Sequence, residues 1–188
     1  MQEVTLQDIF SLATNVQGQI NQIYLHWSAG HYDNVFEDYH INITGNGQIF
    51  ISTSNFAQYL PHTWQRNTGA IGMSIMCCAF ATSNDLGDPT RLETMTPEEL
   101  NVQQIPYEPP TEVQIEAMID VLAVLCKGLN LPCTIDYVKT HAEIADIDGY
   151  GPQTTYERWD LLILHNGDQL YSGGNTIRTR AQCYLNQM

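Results

Sequence analysis

Apolar positions recur at helical spacing near the amino terminus, where Ile9, Phe10, Leu12, Ala13 and Val16 fall on one side of a predicted helix over Leu6 to Gln17. The pattern then changes. Ile20 to Trp27 is apolar or aromatic over most of its length and predicts a buried strand, which ends in His26 and Trp27 just before the small residues Ser28, Ala29 and Gly30. In "YHINITGNGQIFIS", two alternating runs rich in β-branched residues flank Gly45, Asn46 and Gly47, which tolerate positive φ, so this stretch predicts a β-hairpin. "AIGMSIMCCAFA" is apolar almost throughout, as a central strand covered on both faces would be.

From Thr82 to Pro110 the chain turns polar and rich in Pro, Asp and Glu, which predicts a long surface excursion with a short helix starting at Thr96-Pro97-Glu98-Glu99. "PTEVQIEAMIDVLAVLCKGLNLP" carries the clearest helical signal. Thr111 is its expected N-cap, Val113, Ile115, Met118, Ile119, Leu122 and Leu125 its apolar stripe, and Gly128 its stop. "TIDYV" and "LLIL" look like strands, and a last helix is expected from Thr176 to Leu185. These elements predict an α/β fold with a mixed central β-sheet of five to six strands flanked by helices. The long helix is expected across one face, and residues 1–188 are expected to form a single domain.

Composition narrows the function. Seven Lys and Arg stand against 21 Asp and Glu, a net charge of −14 that repels phosphate backbones and anionic lipid surfaces, so neither nucleic-acid binding nor membrane insertion is expected. Five cysteines with no C-x-x-C pair suit neither a full disulfide framework nor a zinc ribbon. Most should be buried thiols, and Cys126 and Cys133 are the pair whose spacing admits a bridge. The opening "MQEVTLQDIFSLATNVQGQ" has no basic n-region and no long apolar stretch, so a secretory signal is not expected there.

Three residues carry candidate chemistry. His26 ends a strand, His141 follows "TIDYV", and Asp160 lies beyond a glycine-rich turn; two imidazoles and a carboxylate are the ligand set of a hydrolytic zinc site with one position open to water. From spacing alone, a core histidine satisfied by a hydrogen bond is the competing reading of His26.

Four segments in order, "IYLHWSAG", "YHINITGNGQIF", "HTWQRNTGAIGMSI" and "KTHAEIADIDGYGP…YERWDL", resemble the motifs of the zinc-dependent N-acetylmuramoyl-L-alanine amidases of the amidase type 2 family. That family shares its fold with peptidoglycan recognition proteins and small bacteriophage lysozyme-type amidases. The resemblance spans Ile20 to Leu164 and implies Zn²⁺ held by His26, His141 and Asp160. It implies hydrolysis of the amide between the lactyl group of N-acetylmuramic acid and L-alanine. Tyr39 would orient water or bond the scissile carbonyl, and Arg158 would stand where many relatives carry an oxyanion-stabilising Lys. Ser28, His62, Trp64 and Asn67 would lie along the substrate. Some relatives place a catalytic Glu in the strand matching "IGMS", where this chain has Ser74, and Glu143 is then the nearest acidic candidate.

Two other readings share the scaffold: a recognition module that grips peptidoglycan without cutting it, and a zinc peptidase for another bond of the stem peptide. Recognition modules usually lack a ligand, and all three candidates are present here. The expected partner is peptidoglycan and the expected state a monomer, made in the cytoplasm and reaching the wall through a holin-type lesion or a dedicated exporter. His40 is expected to be structural. Asp146 and Asp148 lack the later bidentate Glu of a calcium loop.

Overall fold

The computed structural model describes residues 1–81, 107–155 and 158–188, so the helix expected from Thr96 lies outside the described residues. In chain order the elements are Gln2–Glu3 (β1), Leu6–Asn15 (α1), Gln22–Trp27 (β2), Ile41–Ile43 (β3), Ile49–Ile51 (β4), Ala70–Ile75 (β5), Glu112–Leu129 (α2), Val138–Thr140 (β6), His141–Ile147 (α3) and Ser172–Leu185 (α4). The strands form one sheet of six in the order β1-β4-β3-β5-β2-β6. This is the mixed α/β architecture expected from the hydrophobic pattern.

The most apolar strand lies inside the sheet. Every residue of β5 is buried, and β5 runs parallel to both neighbours, β2 and β3. Beyond Ile75 the apolar run leaves the sheet, and Met76, Cys77, Cys78 and Ala79 stay buried outside it. β3 and β4 pair antiparallel as the expected hairpin, and Gly47 takes φ +84° in its turn. β6 adds in parallel to the free edge of β2. It begins at Val138, because Tyr137 N–H and Val138 N–H bond back to Thr134 O and hold most of "TIDYV" in a turn.

α2 packs against α1 and α4 and touches β3 and β5. Thr111 caps it as expected, accepting from Gln114 N–H while Gln114 bonds back to Thr111 N–H. The helix does not stop at Gly128. That residue lies inside it, where a Cβ would come within 2.7 Å of Ala13 Cβ, so the glycine allows α1 and α2 to approach closely. Asn130, left-handed at φ 56°, ends the helix instead. Val113, expected in the apolar stripe, is exposed.

Cys126 and Cys133 are buried free thiols, with Cys133 Sγ 3.5 Å from Arg178 O, so the admitted bridge is absent. Among the described residues no helix is long and apolar enough to cross a membrane.

Candidate metal centre and cavity

The parallel register of β2 and β6 does the first part of site assembly. Leu25 stands beside Thr140, so the next residues, His26 and His141, emerge together at the carboxyl ends of adjacent strands, where open α/β sheets form their crevices. Thr140 also caps α3: its hydroxyl accepts from Glu143 N–H and its N–H donates to Glu143 Oε2, which fixes His141 as the first helical residue.

Asp160 arrives by another route. "LLIL" is buried but forms no strand; Arg158 and Leu161 both have left-handed φ, 52° and 59°, and bend the backbone around Asp160. The buried Trp159 ring stands edge-on to Trp27 with centroids 4.5 Å apart, tying this loop to the end of β2.

The three side chains meet. His26 Nδ1 lies 3.1 Å from His141 Nδ1 and 3.1 Å from Asp160 Oδ2, and His141 Nδ1 lies 3.4 Å from the same oxygen. Their residues are 0%, 7% and 5% exposed. Burial drives the His26 imidazole down to about 4, against the opposing hydrogen bond to Asp160. Burial works to raise the Asp160 carboxyl, but His141 and His26 together outweigh it and hold the acid below its usual range. Neutral His26 and ionised Asp160 are deprotonated donors of the kind a divalent ion requires.

His141 and Asp160 line a cavity of about 470 Å³, with Ser28, Tyr39, His62, Trp64, Asn67 and Arg158 among its other walls, and His26 lies buried beneath them. The Tyr39 ring sits 5.1 Å from that of His26, and burial, reinforced by Asp160, pushes its phenol well above the ordinary value, so it stays a hydrogen-bond donor. Arg158 is exposed at the edge. Ser28 Oγ accepts from Gly30 N–H and Cys77 N–H and so braces the turn after β2. Asn67 Oδ1 accepts from Thr63 N–H, and its amide donates to the Tyr59 hydroxyl. Trp64 is 60% exposed, its ring edge-on to Tyr150.

Glu143 is not brought to the cavity. Both its oxygens receive Arg178, each at 2.7 Å, and it also caps α3. Asp146 accepts from the Tyr171 hydroxyl and Gln153 N–H, and Asp148 pairs with Arg66, so both calcium-loop candidates have protein partners.

Two residues that motif reading passed over touch the metal-ligand candidates. Thr63 Oγ1 is 3.3 Å from His26 Nε2, and the Tyr150 hydroxyl is 3.4 Å from His141 Nε2. Both lie inside the quoted motifs, next to His62 and in "DGYGP", but only folding shows their contacts. Burial pushes the Tyr150 phenol up to about 12.

No protein-family model matches the sequence, and no curated protein matches it. Among solved structures, the chain is similar to the endolysin N-acetylmuramoyl-L-alanine amidase LysCS from Clostridium intestinale URNW, at 15% identity and a TM-score of 0.41 over 67% of this chain and 71% of that one. A second amidase of that organism, LysC, gives 15% and 0.42 over 73% and 80%. A complex of the ectodomains of peptidoglycan recognition proteins LCa and LCx with tracheal cytotoxin gives 17% and 0.42 over 74% and 81%.

Proposed function

We propose that the chain is a zinc-dependent peptidoglycan hydrolase that cleaves the amide joining N-acetylmuramic acid to L-alanine. One observation carries the metal part: three buried ligand atoms separated by 3.1, 3.1 and 3.4 Å beside an open cavity. Tetrahedral ligands about 2.0–2.1 Å from one ion stand about 3.3 Å apart, so the donor set fits Zn²⁺ in both chemistry and spacing. The substrate part is supported by the ordered motifs from "IYLHWSAG" to "YERWDL".

When bound, Zn²⁺ supplies Lewis acidity that polarises the scissile carbonyl and lowers the pKa of water towards neutrality. The chain's own groups do the rest. Tyr39, kept protonated by its surroundings, donates to the oxyanion that develops at the carbonyl. Arg158 adds a fixed positive charge at the edge of the cavity and does not give up a proton. Trp64 holds the glycopeptide at the exposed rim, Asn67 braces the cavity wall beneath it through Thr63 and Tyr59, and the small Ser28-Ala29-Gly30 turn leaves the substrate room. Work on the wall requires passage through a membrane lesion or an exporter, which belongs to the same proposal.

Incubation with purified peptidoglycan should release muramic-acid lactyl ends and new L-alanine amino termini. A metal-replete preparation that frees neither overturns the reading, and sedimentation with peptidoglycan in that case identifies a recognition module.

A further inference from the structure

From the ligand cluster a chain of hydrogen-bonding groups runs through Thr63 to His62, a residue so far given only a place along the substrate. His26 Nε2, the ring nitrogen turned away from the other ligand atoms, lies 3.3 Å from Thr63 Oγ1, which lies 3.0 Å from His62 Nδ1. The far nitrogen of His62, Nε2, is the one buried side-chain nitrogen or oxygen without a hydrogen-bond partner among the described residues. His62 is 6% exposed, and its seat is specific: a Cβ on Gly72 of β5 would come within 2.4 Å of the ring.

A hydroxyl both donates and accepts, and a neutral imidazole has one nitrogen of each kind, so a chain of imidazole, hydroxyl and imidazole has two polarities. The direction is set at His26. We infer that metal binding at His26 reverses the polarity of the His26–Thr63–His62 chain, making Thr63 a positioning residue for the ligand and His62 the terminus that changes tautomer. This rests on the zinc reading proposed above.

Ligation through His26 Nδ1 confines the ring hydrogen to Nε2. That N–H donates to Thr63 Oγ1, the Thr63 hydroxyl donates to His62 Nδ1, and His62 keeps its hydrogen on Nε2. Without the ion, Asp160 Oδ2, 3.1 Å away, draws the hydrogen to His26 Nδ1. His26 Nε2 then accepts from the Thr63 hydroxyl, and His62 Nδ1–H donates to Thr63 Oγ1. Each imidazole carries one hydrogen in both states. The hydrogens change nitrogens within their rings by exchange with water, and net charge is unchanged. His62 Nε2 makes no well-formed hydrogen bond, so neither tautomer breaks one there, and the backbone of Ala70 gives the ring only a weak preference for a hydrogen. In the ion-bound direction Thr63 acts as the outer partner that fixes a metal-ligating histidine's tautomer.

The test is ¹⁵N-resolved NMR of the histidine rings in the full chain, recorded with a chelator and again with one equivalent of Zn²⁺. The expected result is that His62 moves from Nδ1–H to Nε2–H as His26 and His141 take up the ion. Zinc-dependent shifts at His26 and His141 with an unmoved His62 overturn the relay and leave the zinc site standing. No zinc-dependent shift at either ligand overturns both. Thr63→Val removes the hydroxyl at nearly constant shape. It should weaken zinc binding by about 10-fold to 100-fold in chelator competition and abolish the His62 response, whereas Thr63→Ser should restore both. A Thr63→Val chain with wild-type zinc affinity and a wild-type His62 response overturns the proposal.

Discussion

The histidines and the aspartate reach one point by opposite means. His26 and His141 sit at the ends of paired strands, where the ladder from Ile23 to Leu25 fixes their separation before any side chain is chosen. Asp160 sits in a loop outside the sheet, between two residues with left-handed backbone, and depends on the Trp159–Trp27 contact to keep its place. Left-handed conformations at non-glycine residues persist only where the surroundings over-determine them. The sheet therefore holds its ligands through many shared hydrogen bonds, whereas the loop holds its ligand through a few side chains. A chain built in this way should lose its third ligand far more readily than its first two.

The largest expected effect comes from removing that ligand. Asp160→Ala should weaken zinc binding by more than about 100-fold, beyond what an outer partner of a ligand contributes, and abolish peptidoglycan hydrolysis. Asp160→Asn should fail as well, since a neutral amide oxygen is a poor donor beside two imidazoles, while Asp146→Asn and Asp148→Asn should keep a full complement of metal. Metal content and product release of the Asn variant decide the point. Retention of both would mean that Asp160 serves only the loop.

Next comes the anchor. Trp159→Ala should cost about 3–5 kcal/mol of stability, the range for emptying a buried tryptophan site, and should also lower zinc affinity because the carboxylate is no longer held. Trp159→Phe should recover much of both. Denaturant titration with and without zinc separates the two effects. A Trp159→Ala chain that loses under about 1 kcal/mol and keeps its affinity would place the loop's support elsewhere.

The same contrast explains how far sequence carried. β2, β5 and the β3–β4 hairpin were legible because burial on both faces and the Gly45-Asn46-Gly47 turn leave direct marks in residue choice. "LLIL" left the same apolar mark and was misleading: burial is written in composition, but the hydrogen-bond partner a strand needs is not, and the left-handed Leu161 prevents one. Gly128 failed in a similar way, since a glycine that ends a helix and one that admits a neighbouring helix look alike along the chain. His141 and Asp160 lie 115 and 134 positions after His26, so spacing alone could not join the three. Ordered motifs nominated them; the strand register brings the two histidines together, and the loop anchored by Trp159 brings Asp160. Thr63 and Tyr150 were invisible because a hydroxyl's role depends on what lies three ångströms away.

Glu143 tests the histidine side of the comparison. It braces the start of α3, and its ion pair with Arg178 is nearly closed to water, the side chains being 11% and 5% exposed. Glu143→Gln should cost about 3 kcal/mol by leaving the guanidinium buried without its charge partner. Zinc content and turnover per folded molecule should stay near wild type. A fall in turnover of about 100-fold or more at unchanged stability would instead give Glu143 an acid–base role.

The smallest effect concerns His40, just before β3, where two hydrogen bonds prescribe one neutral tautomer. Its Nε2–H donates to Gln58 O at 2.8 Å, and its Nδ1 accepts from Gly72 N–H at 3.1 Å. A second proton on Nδ1 would turn that acceptor against the Gly72 N–H. Burial accordingly lowers the folded-state value below 6.5, while the unfolded chain titrates normally. Below pH 6.5 the unfolded state binds more protons than the folded state, so this contribution is fully present above that pH and declines as the solution is acidified. The slope can reach at most about 1.4 kcal/mol per pH unit for one histidine. His40→Gln has no titrating ring; it should be less stable than wild type by about 1–2 kcal/mol at pH 7.5, from the lost hydrogen bonds. It should then lose less stability than wild type between pH 6.5 and 5. Denaturant midpoints of both chains across that range, with zinc chelated throughout, read the difference directly. Parallel profiles would mean that His40 titrates alike in both states and that its two hydrogen bonds do not set its protonation.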